Sequence, residues 1–329
     1  MNYEDFRGKK VLITGGLGFL GSNLALRLAE LGARVTVVDS LIPEYGGNLY
    51  NIKGYEEEIR VNIADIRDEF SMSYLVKDKD YLFNLAGQTS HIDSMNDPYT
   101  DLEINCRAQL FILEACRRHN PGIRIVYAST RQIYGRPDFL PVDEGHILHP
   151  TDVNGINKMA GEWYHILYSR VHDIKSCALR LTNTYGPRMR IKDARQTFLG
   201  IWIRNLIEER PIEVWGDGSQ LRDFNFVDDV IEAMLMCALS EVTASEIYNL
   251  GSYQHISLRD LAELMVKIHG KGKCRIIPFP EERKVIDIGD YYSDFSKIKG
   301  ALNWEPKISL EQGLKKTLQY FYQNFSHYI

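Results

Sequence analysis

Short runs of apolar, β-branched residues alternate with longer amphipathic stretches through the first half of the chain. K-K-V-L-I-T-G at 9–15 gives way to a helical pattern over 19–31, and R-V-T-V-V-D at 34–39 returns to a strand pattern. The alternation continues through Y-L-F-N-L-A (81–86), a helix around 100–119, I-R-I-V-Y-A-S (123–129), a helix around 155–171 and K-S-C-A-L-R-L (175–181). Strands separated by amphipathic helices are βαβ units, and these pair in parallel. Right-handed crossovers then cover both faces of the sheet, so the expected fold is α/β, a doubly wound parallel sheet.

Beyond residue 182 the pattern loosens. N-T-Y-G-P-R-M-R is turn-like, 197–209 is helical, and P-I-E-V-W-G-D-G-S-Q reads as a strand running into a turn. F-N-F-V-D-D-V opens another helix, I-Y-N-L-G-S (247–252) is a short strand, and Ser257 caps a helix over 257–268. W-E-P-K-I-S-L-E-Q-G-L-K-K-T-L leads into a last helix. The division expected is a sheet-forming domain over 1–181, with a segment at about 224–251 returning to it, and a smaller α+β lobe over 182–329. No repeat, low-complexity tract or flexible linker separates them, which predicts tightly joined lobes.

Composition narrows the class without fixing it. Of 329 residues, 44% are hydrophobic and 25% charged, as in ordinary globular chains. A formal net charge of −5 provides no general attraction to nucleic acid or to an anionic membrane. The first residues, M-N-Y-E-D-F-R-G-K-K, are unlike a secretory leader, and no apolar run approaches a membrane span, so a cytoplasmic protein is expected. The cysteines (Cys106, Cys116, Cys177, Cys237 and Cys274) are widely spaced with no C-x-x-C pair, which predicts neither a metal site nor a disulfide framework.

The strongest chemical signal is T-G-G-L-G-F-L-G at 14–21, directly after the first strand and opening the first helix. Glycines there permit a tight turn, let backbone N–H groups approach a pyrophosphate and allow close helix–strand packing. The second strand ends in Asp39, placed to accept hydrogen bonds from adenosine ribose hydroxyls. A carboxylate at that point repels a 2′-phosphate, and S-L-I-P after it offers no arginine, so NAD is favoured over NADP.

Together with N-L-A-G (84–87), Y-A-S-T (127–130), I-Y-G (133–135) and L-R-L-T-N-T-Y-G-P-R (179–188), this motif resembles the extended short-chain dehydrogenase/reductases. These are the nucleotide-sugar epimerases, dehydratases and decarboxylases, and the likeness is to the UDP-glucose 4-epimerase type. It continues through G-D-G-S-Q-L-R-D-F-N-F-V-D-D-V (216–230), Y-N-L-G-S (248–252) and L-N-W-E-P (302–306), so it spans almost the whole chain. The resemblance implies an NAD domain of Rossmann type with a C-terminal lobe for a nucleotide-diphosphate sugar. Carried over residue by residue, Gly15, Gly18, Phe19, Leu20 and Gly21 form the cofactor loop. Asp65 and Ile66 flank the adenine, Ala86 and Gly87 line the cofactor, and Lys158 reaches the nicotinamide ribose. On the substrate side Gln88 and Arg131 are candidate contacts, and the resemblance implies Asn183 at the diphosphate and Arg222 at a phosphate or the nucleotide ribose. The other reading of Arg222 is an ion pair with Asp228 or Asp229. Arg283 joins the same anion, although its spacing to Gly289-Asp290 departs from the family pattern. The helices around 100–119 and 155–171 resemble the pair through which family members form homodimers.

In this family a Tyr four residues before the Lys removes a proton from the sugar hydroxyl, and a Ser or Thr holds the reacting oxygen. Thr130 and Lys158 fit two of these roles, but the tyrosine position is Asn154, whose amide does not titrate. Three readings follow. Another group moves the proton, with Lys158 the most economical choice and His91, Tyr185 and Asp152 as further candidates; or the protein is a net C4 dehydrogenase; or it binds NAD and nucleotide sugar without catalysis. Arg131 and Gln132 follow Thr130 where the dehydratases carry Asp-Glu, which argues against dehydration. Arg131 reads either as a handle for a uronate carboxylate or as a solvent-facing side chain. Oxidation at C4 by an epimerase asks least of these side chains and is the first expectation.

Overall fold

A computed structural model describes residues 1–329. Twelve strands and twelve α-helices are numbered here in chain order. A seven-stranded sheet contains β1 (Lys10–Thr14), β2 (Arg34–Asp39), β3 (Ile59–Ile63), β4 (Tyr81–Asn84), β5 (Arg124–Thr130), β6 (Ser176–Leu181) and β10 (Ile247–Asn249). All pairings are parallel, in the order β10-β6-β5-β4-β1-β2-β3. The chain winds outward from β1 through β2 and β3, then crosses back to β4 and winds the other way. The reversal lies between β1 and β4, and a crevice opens there beyond the carboxyl ends of the strands.

Alternation along β1 explains the two layers. Val11 and Ile13 point into one core with Val35 and Val37, whereas Leu12 joins Val38, Leu82 and Ile125 in the other. The first core is covered by α1 (Phe19–Glu30) and α8 (Val227–Leu239). The second is covered by α2 (Glu69–Leu75) and by the helix pair α5 (Ala108–His119) and α6 (Val153–His172).

The remaining elements form the second lobe. A three-stranded sheet joins β11 (His255–Ser257), β9 (Leu221–Phe226) and β7 (Asn183–Tyr185), and a two-stranded one pairs β12 (Cys274–Ile277) with β8 (Ile212–Trp215). Around them lie α7 (Phe198–Ile207), α9 (Leu258–His269), α10 (Glu281–Lys284), α11 (Ser296–Leu302) and α12 (Leu310–Asn324). The core behind α1 and α8 continues without a break through Trp202, Leu261, Trp304 and Phe321, so apolar packing joins the lobes directly. Ser257 accepts a hydrogen bond from the Asp260 N–H at the start of α9, the expected cap.

The helix expected around 100–119 is interrupted. α3 (His91–Asn96) and α4 (Pro98–Leu102) precede a π-helical turn at Glu103–Arg107, which continues into α5. Strand β3 and helix α2 were not anticipated, because I-R-V-N-I is only partly buried at the sheet edge and α2 is too short for a clear period.

One buried ionic network fixes α6 against the sheet. Glu162 accepts Arg180 Nη2 at 2.6 Å, Arg180 Nε at 3.0 Å and the Ser129 hydroxyl at 2.6 Å. Arg180 Nη1 donates to the Tyr134 hydroxyl, which donates to Asn249 Oδ1 at 2.7 Å. Side chains from β5, β6, α6 and β10 thereby satisfy one another away from water, as buried charges require.

Candidate active site

The switch point forms a cleft of about 120 Å³. Gly15, Gly18, Phe19, Leu20, Gly21, Asp39, Asp65, Ile66, Ala86 and Gly87 all line it. The loop between β1 and α1 needs its glycines. Gly15 has a φ of +66°, and a Cβ there would lie 3.0 Å from Ala86. A Cβ on Gly21 would sit 2.2 Å from the Gly15 carbonyl. Asp39 accepts the Leu17 N–H at 3.0 Å and the Leu41 N–H at 2.9 Å. Burial raises its pKa, and those N–H groups oppose the rise. Thr14 ties the loop to the exit of β4: its hydroxyl donates to Asn84 Oδ1 at 2.8 Å and accepts the Leu85 and Ala86 N–H groups. Asp65 is paired with Arg67 at 2.6 Å.

Asn154 lies in the first turn of α6, which Asp152 caps by accepting the Gly155 N–H at 2.7 Å. Its amide nitrogen donates to the Gln88 carbonyl at 2.8 Å and to Asp101 Oδ2 at 3.0 Å. Asp101 is fully buried and also accepts Asn105 Nδ2 at 3.0 Å and Asn157 Nδ2 at 2.8 Å. Asn105 repeats the pattern, donating to the Gln88 carbonyl at 2.9 Å. Three amides thus enclose one carboxylate between α4, the π-helical turn and α6, and both hydrogens of the Asn154 amide are committed within that cage. The sequence reading missed Asp101, Asn105 and Asn157. The available signal was polar residues at i, i+4 and i, i+3 on helix faces that pack together.

Lys158 follows one turn later and is buried. Its Nζ donates to the Ala128 carbonyl at 2.6 Å and stands 4.4 Å from the centre of the Tyr127 ring. Burial pulls its pKa down to about 8, with the charges of Asp101 and Glu162 opposing at longer range. A Cβ on Gly87 would lie 3.7 Å from that Nζ and 2.9 Å from Asn105 Oδ1, an atom that is buried without a partner. Lys158, Asn105 and Gly87 therefore converge at the inner end of the cleft. Thr130 ends β5 nearby, its hydroxyl accepting the Gln132 N–H at 3.2 Å.

The other proton-transfer candidates separate. His91 Nδ1 lies 2.8 Å from Asp152 Oδ2. Burial would raise the Asp152 carboxyl, but His91, the Gly155 N–H and Gln132 hold it below its ordinary value. Tyr185 is packing: it is buried against Phe224 and Phe226 and donates to the Leu310 carbonyl at 3.2 Å.

Among the residues expected to meet substrate, Arg131 and Asn183 are brought together, Nη2 to Oδ1 at 3.0 Å. Arg222 donates to the Leu221 carbonyl at 2.8 Å and to the Gly289 carbonyl, with Asp287 at 3.6 Å in place of Asp228 or Asp229. Burial and the neighbouring Arg131 charge lower its pKa to about 10. Arg283 stacks 4.9 Å over the Trp215 ring. Gln88 is buried, its amide donating to the Ser90 carbonyl at 2.9 Å while its Oε1 has no partner.

This fold, with a glycine cradle at the switch point, is that of a dinucleotide-dependent enzyme of the short-chain type. The sequence profile of the NAD dependent epimerase/dehydratase family matches residues 11–251, and the chain belongs to that family. A protein of Methanocaldococcus jannaschii, provisionally named a UDP-glucose 4-epimerase, is 34% identical over 95% of this chain and 99% of its own. UDP-glucuronic acid decarboxylase 1 of Xenopus tropicalis is 31% identical over 97% of this chain and 73% of its own. The solved structure of UDP-glucose 4-epimerase from Thermotoga maritima, with UDP-glucose, superposes with a TM-score of 0.88 at 30% identity, covering 96% of this chain and 99% of that one. The protein is an NAD-dependent nucleotide-sugar enzyme of the epimerase/dehydratase family.

Proposed function

We propose that this enzyme oxidises the C4 hydroxyl of a nucleotide-diphosphate sugar and acts as a C4 epimerase, with Lys158 as the group that accepts the hydroxyl proton. The observation that carries the reading is Lys158 itself, a buried amine with its pKa lowered to about 8, on the helix turn after an amide that cannot titrate. Thr130 orients the reacting hydroxyl. Asn183 and Arg222 hold the diphosphate, supplying an amide and a rigid guanidinium fork. The Gly15–Gly21 cradle holds the NAD pyrophosphate, Asp39 the adenosine ribose, and the Asp65-Ile66 and Ala86-Gly87 segments the walls. Bound NAD supplies the acceptor for the hydride leaving C4.

A net C4 dehydrogenase is the second reading. It is favoured by Asn154, whose amide is spent on Gln88 and Asp101 and leaves no phenol to manage a second proton transfer. The redox state of cofactor released after incubation with UDP-glucose and related nucleotide sugars separates the two. An epimer appearing while the cofactor stays as NAD⁺ supports the epimerase. NADH rising in proportion to sugar consumed replaces it with the dehydrogenase.

A homodimer is part of the proposal. Ile156, Trp163, Leu167 and Val171 leave an exposed apolar stripe along α6, beside exposed Tyr99 and Leu102 of α4. Such a stripe suits packing against a second copy of the same helices.

A further inference from the structure

Leu17, in the middle of the glycine cradle, is held from both sides. Its N–H donates to Asp39 Oδ2 at 3.0 Å. Its carbonyl accepts the Asn48 N–H at 3.0 Å and the side-chain amide of Asn51 at 2.8 Å. Asn51 belongs to the short turn Leu49–Ile52 beyond β2, yet it is only 1% exposed. The other end of its amide is committed as well. Oδ1 accepts the Tyr328 hydroxyl at 2.6 Å, and that hydroxyl lies 2.5 Å from the hydroxyl of Tyr320. A hydroxyl has one hydrogen, so with Tyr328 donating to Asn51, Tyr320 donates to Tyr328. The hydrogen bonds therefore run in one direction, from Tyr320 through Tyr328 and Asn51 to the Leu17 carbonyl.

The second lobe holds all of segment 47–51 in this manner. Asn48 Nδ2 donates to the His327 carbonyl at 2.8 Å and the Tyr50 hydroxyl to Asn324 Oδ1 at 2.5 Å. The Tyr50 ring stacks on His327, 3.7 Å between centres. The segment in turn lies against the Asp39 carboxylate, because a Cβ on Gly47 would be 2.6 Å from Asp39 Oδ1. The peptide joining Leu17 to Gly18 is planar, so a carbonyl fixed by Asn51 also fixes the opposed Gly18 N–H. That N–H donates to the Gly15 carbonyl at 3.1 Å, just where the chain enters α1. The free N–H groups at such an entry are the ones a pyrophosphate meets.

We infer that Asn51 and Tyr328 are positioning residues for NAD, acting through Leu17 and Asp39, so that the second lobe sets the affinity for the adenosine-diphosphate half of the cofactor. This rests on the placement of NAD at the cradle given above. The test is calorimetric titration of the full chain, freed of bound cofactor, with NAD⁺ and with ADP-ribose, which lacks the nicotinamide. Asn51→Leu is expected to weaken both ligands by about tenfold or more. Tyr328→Phe keeps the ring and loses only the hydroxyl, and is expected to weaken both by about threefold to tenfold. Thr317→Val removes a different buried hydroxyl of α12, one that donates to the Gly313 carbonyl at 2.7 Å, and is expected to bind both ligands as wild type does. Wild-type affinity in Tyr328→Phe overturns the inference, and that variant decides alone should Asn51→Leu fail to fold. Wild-type affinity in a folded Asn51→Leu overturns it by breaking the route through Leu17. An equal loss in Thr317→Val overturns it by assigning the effect to general loosening of the lobe, and a loss confined to NAD⁺ does so by moving the effect to the nicotinamide end. Wild type that binds neither ligand removes the placement of NAD itself, and this inference with it.

Discussion

Lys158 holds a charged group in a pocket of carbonyl and aromatic surface, and the depressed pKa is the direct result of that placement. Turnover should therefore climb with pH through about 8, as the ammonium loses its proton and the free amine becomes available. Lys158→Met should lower turnover by roughly 10²–10⁴ while NAD still binds, read by kcat beside a cofactor titration. A flat pH–rate profile in the wild type would remove Lys158 from the proton-transfer role. At this scale the sequence shows the identities but not the partners. Thr130, Lys158 and Asn154 are legible because they fall at fixed positions of a motif. Asp101 is not, because its role arises only when α4 and α6 pack and three amides from distant positions close on it. The neighbour of Arg283 was equally hidden: the aromatic face it stacks on belongs to Trp215, remote in sequence.

Within the elements, α6 carries the site and also the groups that hold it. Glu162→Ala should destabilise the protein by about 3–5 kcal/mol, because it strands Arg180 without a partner in the core, and urea unfolding measures this directly. His165, three residues further along, stacks on Tyr127 with ring centres 4.1 Å apart, and its Nδ1 lies 2.7 Å from the Gly161 carbonyl. Burial lowers its pKa to about 4. The unfolded chain, titrating near 6.5, therefore takes up the proton first as pH falls. The His165 contribution is complete above about pH 6.5 and is lost between there and pH 4, on the order of 3 kcal/mol in total. The difference in melting temperature between wild type and His165→Leu, followed across that window, should shrink as pH falls. A constant difference would contradict the assignment. The π-helical turn beside these residues was invisible to periodicity, since one wider turn shifts the pattern by less than the scatter of an ordinary amphipathic helix.

For the molecule as a whole, the parallel sheet was legible because buried strands read as continuous apolar runs between amphipathic helices. The second lobe was less so, since its strands are only three to six residues long. The stripe on α6 gives the assembly its test. Trp163→Glu combined with Leu167→Glu places two charges on the proposed interface, and light scattering should show the mass falling from a dimer to a monomer. An unchanged mass would move the interface elsewhere. The order of the central sheet also bears on how the chain is made. Strand β10 pairs with β6 through Ile247↔Ala178, Tyr248↔Leu179 and Asn249↔Arg180, although residues 182–246 must be synthesised between them. During translation the nearly finished sheet thus leaves the ribosome with the β6 edge bare and one apolar face still waiting for α8. Unpaired edges of this kind recruit other strands. The nascent chain is most exposed to aggregation over that interval, and a fragment ending at residue 181 would keep that vulnerability permanently.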